Sequence, residues 1–164
     1  YPTMPELFGG VLHDEEKEAP AALAALVQEH VDGRPARVYG PLGVGGHVDH
    51  VLAHRAVWSL RAQGWPVAFY EDVPYAEPGF PHPMDEGNES TIEAVVAAVE
   101  EASLEPERHP ISEEDLAARI ESVQAYGSQI PMLYGSDEDA ARRIRTFACR
   151  FDAAQPAERL WVPA

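Results

Sequence analysis

A short apolar segment, Ala36 to Leu42, runs through the glycine-bearing turn Gly43-Val44-Gly45-Gly46 into a stretch, Asp49 to Gln63, whose Val51, Leu52, Ala56, Val57 and Leu60 repeat with helical period. Gly64 closes that helix as a C-cap, and Pro66-Val67-Ala68-Phe69-Tyr70-Glu71 reads as a second strand. Strand, crossover helix and strand at this spacing make the two strands parallel neighbours, since a parallel connection needs a crossover of about a dozen residues or more. The expected class is therefore a layered α/β fold.

The remaining elements are consistent with this. After a start that reads as loose, Ala19 to Val31 places Leu23, Leu26, Val27 and Val31 on one helical face, with Asp14, Glu15, Glu16 and Glu18 ahead of it where a helix dipole favours acids. Asp72 to Glu89 is rich in proline and reads as a long irregular loop. Helices are expected over Ser90 to Ala102, from Ser112 to about Tyr126, and over Asp137 to Arg150. Glu105 to Ile111 reads as an edge strand limited by Pro106 and Pro110, and Arg159 to Val162 as a closing strand.

With 164 residues and 45% hydrophobic content the chain can bury one core, so a single domain over 1–164 is expected. A formal net charge of −16 repels phosphate backbones and anionic lipid, and no local basic patch offsets it, which argues against a nucleic-acid partner. Apolar runs such as Ala94 to Val99 fall far short of the roughly 20 residues a membrane span needs. Cys149 is the one cysteine, excluding an internal disulfide and suiting a reducing compartment, so cytoplasm is the expected location. Tyr1 to Leu7 has neither a basic n-region nor a long apolar run, so no signal peptide is expected, and an upstream segment is expected to be missing.

Chemistry concentrates where the first strand ends. In open α/β sheets ligands collect at the carboxyl ends of strands, and His47 and His50 stand there. A spacing of three puts both imidazoles on one side of a first helical turn, able to face one ion or one substrate group. Asp49 between them can orient a histidine by accepting its second N–H, or can cap the helix while the histidines stay solvated. His54, four residues beyond His50, suggests a three-histidine site, but all three could line one helix face only if the helix began at Gly46, and a histidine followed by Arg55 reads better as a partly exposed helical residue. Gly43, Gly45 and Gly46 do not form Gly-x-Gly-x-x-Gly, so a dinucleotide site is a poor fit, and no Gly-x-Ser-x-Gly elbow is present.

The run Pro-Leu-Gly-Val-Gly-Gly-His-Val-Asp-His over residues 41–50, then Phe69-Tyr70-Glu71-Asp72-Val73-Pro74-Tyr75-Ala76, then Tyr126-Gly127-Ser128-Gln129, resembles the PIG-L/LmbE-like (GlcNAc-PI de-N-acetylase) family of zinc-dependent N-deacetylases. The resemblance implies a Rossmann-like three-layer fold with a mostly parallel sheet, hydrolysing the acetamide of an N-acetylated sugar or related metabolite. By motif it implies His50 as a ligand of zinc or another divalent metal, His47 as the histidine that steadies the oxyanion or assists the leaving amine, and Asp49 in support. Glu71, Asp72 and Tyr75 are expected to line the pocket.

Members of that family carry a His-Pro-Asp-Asp-Glu element upstream of this motif, and none precedes His47 here; Pro81-His82-Pro83-Met84-Asp85-Glu86 is similar but lies on the wrong side. The chain is therefore expected to be the C-terminal portion of the domain, partnered by an N-terminal segment of the same parent protein and inactive without it. The alternative is a non-catalytic carbohydrate-binding or interaction module with an incomplete metal site. Homo-oligomerisation is left open by the sequence.

Overall fold

The computed structural model describes residues 1–31, 36–80 and 91–164. They form two compact units, Tyr1–Glu107 with Leu160–Ala164, and Arg108–Arg159.

In the first unit the expected strand, helix and strand are β1 (Val38–Pro41), α1 (Val48–Ala62) and β2 (Val67–Tyr70), and β1 pairs parallel to β2 with Val38 opposite Val67 and Pro41 opposite Tyr70. The helix lies on this pair and buries Ala56, Val57 and Leu60. Gly40 allows the approach: a Cβ there would stand 2.4 Å from Val57 Cγ2, inside any tolerable contact. Phe69, Leu42 and Val44 are almost wholly excluded from solvent, so the strand ends carrying the histidines are anchored in core. A further helix, α2 (Ala19–Val31), packs on α1.

The sheet order is β1, β2, β4 (Ala157–Pro163), β3 (Leu104–Pro110). Against the expectation of a mostly parallel sheet, β4 pairs antiparallel to β2, with Trp161 opposite Phe69 and Leu160 opposite Tyr70. The sheet is mixed. A crossover helix dictates direction between β1 and β2, whereas the chain between β2 and β4 is long enough to return either way. Pro106 and Pro110 fall in β3 at the end of the strand order, where a missing ladder donor is tolerated.

The start of the chain is not loose. Met4–Leu7 is a one-turn helix whose Thr3 and Glu6 form a reciprocal capping box, and Asp14–Glu16 is a 3-10 turn. Residues 71–80 are irregular, as expected, and the rest of the proline-rich loop lies outside the described residues. The helix expected from Ser90 is shorter, α3 (Ile92–Ala98), capped by Thr91; Ser90 itself lies outside the described residues.

In the second unit α4 (Glu113–Gln124) begins at a Ser112–Asp115 capping box and packs on α6 (Asp137–Ala148), with the short α5 (Ile130–Leu133) between them in sequence. Leu116, Ala140 and Ile144 are buried, and Arg145 meets Glu113 at 2.7 Å. No described helix is long and apolar enough to cross a membrane.

Candidate active site at the turn after the first strand

The turn from β1 into α1 is held by a side chain from the end of β2. Asp72, its carboxylate fully buried, accepts at Oδ2 from the backbone N–H of Gly43 at 2.8 Å and of Val44 at 3.1 Å. Its Oδ1 lies 2.8 Å from Nδ1 of His50 on the first turn of α1, a close charge contact, and both atoms are buried with no other polar partner among the described residues. One carboxylate thus ties the ends of two parallel strands to one imidazole.

His47 is the N-cap of α1. Its Nδ1 accepts from the backbone N–H of Asp49 at 3.2 Å, so its remaining proton belongs on Nε2. Burial holds the His47 pKa below its ordinary value; the charge of Asp49 opposes the shift and His50 adds to it. The two rings lie side by side with centroids 5.4 Å apart. Asp49 presents an exposed carboxylate whose Oδ2 is 3.8 Å from His47 Nδ1. The carboxylate seated behind His50 is therefore that of Asp72.

Aromatic rings enclose the pair. Tyr75 stands 5.7 Å from His50, edge to face, and touches Phe80 at 5.5 Å. Phe8 stands 5.0 Å from His47 and 5.6 Å from Tyr75. Burial, then the charge of Asp72, raises the Tyr75 pKa, so its phenol stays protonated. Phe8 was not legible as a site residue. Its segment is stitched to the turn by Gly10 N–H to Gly46 O at 2.9 Å, and a Cβ on Gly46, whose φ is +64°, would stand 2.9 Å from Phe8 O. The one signal available was the Thr3 to Glu6 capping pattern, which marks a local turn but not where it docks.

Glu71 and His54 are committed to other partners. Glu71 is buried and accepts the indole N–H of Trp161 at 3.1 Å, so it faces β4. His54 accepts from Trp58 Nε1–H at 2.9 Å on Nε2, which leaves the proton on Nδ1 to donate to Pro41 O at 3.0 Å. Both its nitrogens are used, and burial lowers its pKa, so His54 has no lone pair for a metal. Tyr126 to Gln129 lies in the second unit, with Tyr126 exposed and its carbonyl taking the Gln129 N–H at 2.8 Å. Pro81 to Glu86 lies outside the described residues.

As a donor set, His50 fits one position of a metal site: an imidazole backed at Nδ1 by a buried carboxylate, with Nε2 left for the ion. No group of three or more histidine, cysteine or acidic side chains gathers to hold a metal among the described residues.

The α/β architecture is one found in deacetylases. The zinc-inhibited form of teicoplanin deacetylase Orf2 matches with a TM-score of 0.68 at 21% identity, over 93% of this chain and 55% of that one. A deacetylase-bog complex from the teicoplanin biosynthesis pathway gives 0.69 at 21% identity, over 100% and 63%. The A40926 pseudoaglycone deacetylase Dbv21 gives 0.66 at 19% identity, over 88% and 56%. In sequence, 53 residues are 45% identical to the 2'-N-acetylparomamine deacetylase of Streptomyces fradiae, a stretch covering 32% of this chain and 19% of that protein. No family model matches. The chain spans little more than half of the solved deacetylases and about a fifth of the curated relative.

Proposed function

We propose that this chain carries part of the active site of a metal-dependent N-deacetylase of the PIG-L/LmbE-like type, acting on an N-acetylated sugar or a related small metabolite. The observation that carries the reading is the pairing of His47 and His50 at the carboxyl ends of two parallel strands, 5.4 Å between ring centroids, with Asp72 behind His50. The deacetylase names of the relatives, one of them for an N-acetylated compound, support it.

His50 is proposed as a ligand of zinc or another divalent metal through Nε2. Such an ion supplies an acidified water and a polarised acetamide carbonyl. His47 does the rest from this chain: with Nδ1 occupied by the Asp49 N–H, its Nε2–H donates a hydrogen bond to the developing oxyanion. Asp49 supports that cap from the solvent side. Tyr75, with Phe8 and Phe80, forms a wall suited to the C–H face of a sugar ring. Glu71 and Asp72 contribute through Trp161 and His50. The strongly acidic chain favours a substrate that is neutral or carries amines over an anionic one.

The solved deacetylases extend well beyond the part this chain matches, which supports reading residues 1–164 as a portion of one Rossmann-like domain. The further ligands and the carboxylate base then come from another segment of the parent protein. The lone Cys149 suits a cytoplasmic setting. A non-catalytic carbohydrate-binding module is the second reading, favoured by the lack of a three-ligand group among the described residues. Elemental analysis of the full-length gene product separates them: about one metal per molecule, lost in His50→Ala and kept in His47→Ala, is expected of the enzyme, and no metal in the wild type favours the module.

A further inference from the structure

We infer that Asp72 is a positioning residue that fixes the tautomer of His50 and couples it to the shape of the turn after β1. The inference rests on the proposed role of His50 for its functional meaning, but its structural content stands separately.

The argument is one of donors and acceptors. An ionised carboxylate only accepts. Oδ2 of Asp72 is committed to two backbone donors, Gly43 at 2.8 Å and Val44 at 3.1 Å, which have no lone pair to offer in return. That leaves Oδ1, 2.8 Å from His50 Nδ1 in a fully buried position where water cannot substitute. Two acceptors facing one another at that distance would be repulsive in a low-dielectric interior. The proton of neutral His50 is therefore held on Nδ1, and the lone pair is left on Nε2. The same carboxylate fastens Gly43 and Val44, so any change that opens the turn also releases the ring.

Asp72→Asn tests this because it keeps the shape and reverses one polarity. Gly43 and Val44 still demand an oxygen, so the amide turns its NH2 toward His50 Nδ1, which can accept only if the proton moves to Nε2. The measurement is the pair of ring 15N shifts of His50 in the metal-free full-length gene product at pH 8, assigned by their loss in His50→Gln. The wild type is expected to carry the proton on Nδ1 and Asp72→Asn on Nε2. A wild type protonated on Nε2, or an Asp72→Asn variant with unchanged tautomer, overturns the inference; a wild-type reading of Nδ1–H supports it even if the variant does not fold. Zinc alone, titrated into both, is expected to bind the variant about 10- to 100-fold more weakly, and equal affinity overturns the coupling. If the tautomer switches but the wild type binds no zinc, the positioning role holds and the metal-dependent function proposed above fails.

Discussion

Trp161 on β4 donates its indole N–H to Oε1 of Glu71 at 3.1 Å, both side chains buried, beside the antiparallel pairing of β4 with β2. A buried donor stripped of its acceptor loses about 1–3 kcal/mol. Glu71→Ala is therefore expected to lower the unfolding free energy by roughly that amount in urea titrations, and Glu71→Gln, which keeps an acceptor, by distinctly less. Equal losses would mean that the indole bond contributes little.

How far the sequence revealed this arrangement depended on how local the cause was. β1, α1 and β2 were legible because short apolar runs bounded by breakers, a helical period and a glycine stop are written in consecutive residues, and a crossover fixes the parallel pairing. The antiparallel return of β4 was not, because direction after a long intervening segment is settled by packing such as Trp161 on Glu71. The two histidines stood out by spacing. Which carboxylate backs His50 did not, since Asp49 is adjacent in sequence whereas Asp72 arrives from the neighbouring strand. Phe8 was hidden for the same reason: its partners His47 and Tyr75 are contributed by distant residues.

Gly40 sets how closely α1 lies on β1. Gly40→Ala places a methyl 2.4 Å from Val57 Cγ2, and a β-branched side chain fixed in a helix cannot swing away. The expected loss is about 1–3 kcal/mol. Adding Val57→Ala is expected to recover part of it in a double-mutant cycle, and strict additivity would contradict the contact.

His54 gives the fold an acid-sensitive element. Burial lowers its folded-state pKa from 6.5, so on unfolding it takes up a proton that the native state resists. Its contribution is complete above the unfolded value and is lost as pH falls from there through the folded value, with a slope of at most about 1.4 kcal/mol per pH unit. His47, shifted in the same direction, adds to the trend. Stability measured between pH 8 and pH 5 is expected to fall less in His54→Phe than in the wild type; parallel curves would remove His54 as a cause.

The first residues are part of the site wall. Phe8 is buried, whereas Val11, three residues later, is 69% exposed. Phe8→Ala is expected to cost about 3 kcal/mol, against a change within about 0.5 kcal/mol for Val11→Ala. Similar small effects for both would mean that the segment is not seated on His47 and Tyr75.

Acetate release from N-acetylated amino sugars by the full-length gene product, compared across wild type, His50→Ala and His47→Ala, tests the central claim most directly. The account predicts metal-dependent turnover in the wild type, its abolition in His50→Ala together with the metal, and a roughly 100- to 1,000-fold lower rate in His47→Ala with metal retained. Undiminished turnover in His50→Ala, or no acetate from any N-acetylated sugar in the presence of zinc, would contradict it.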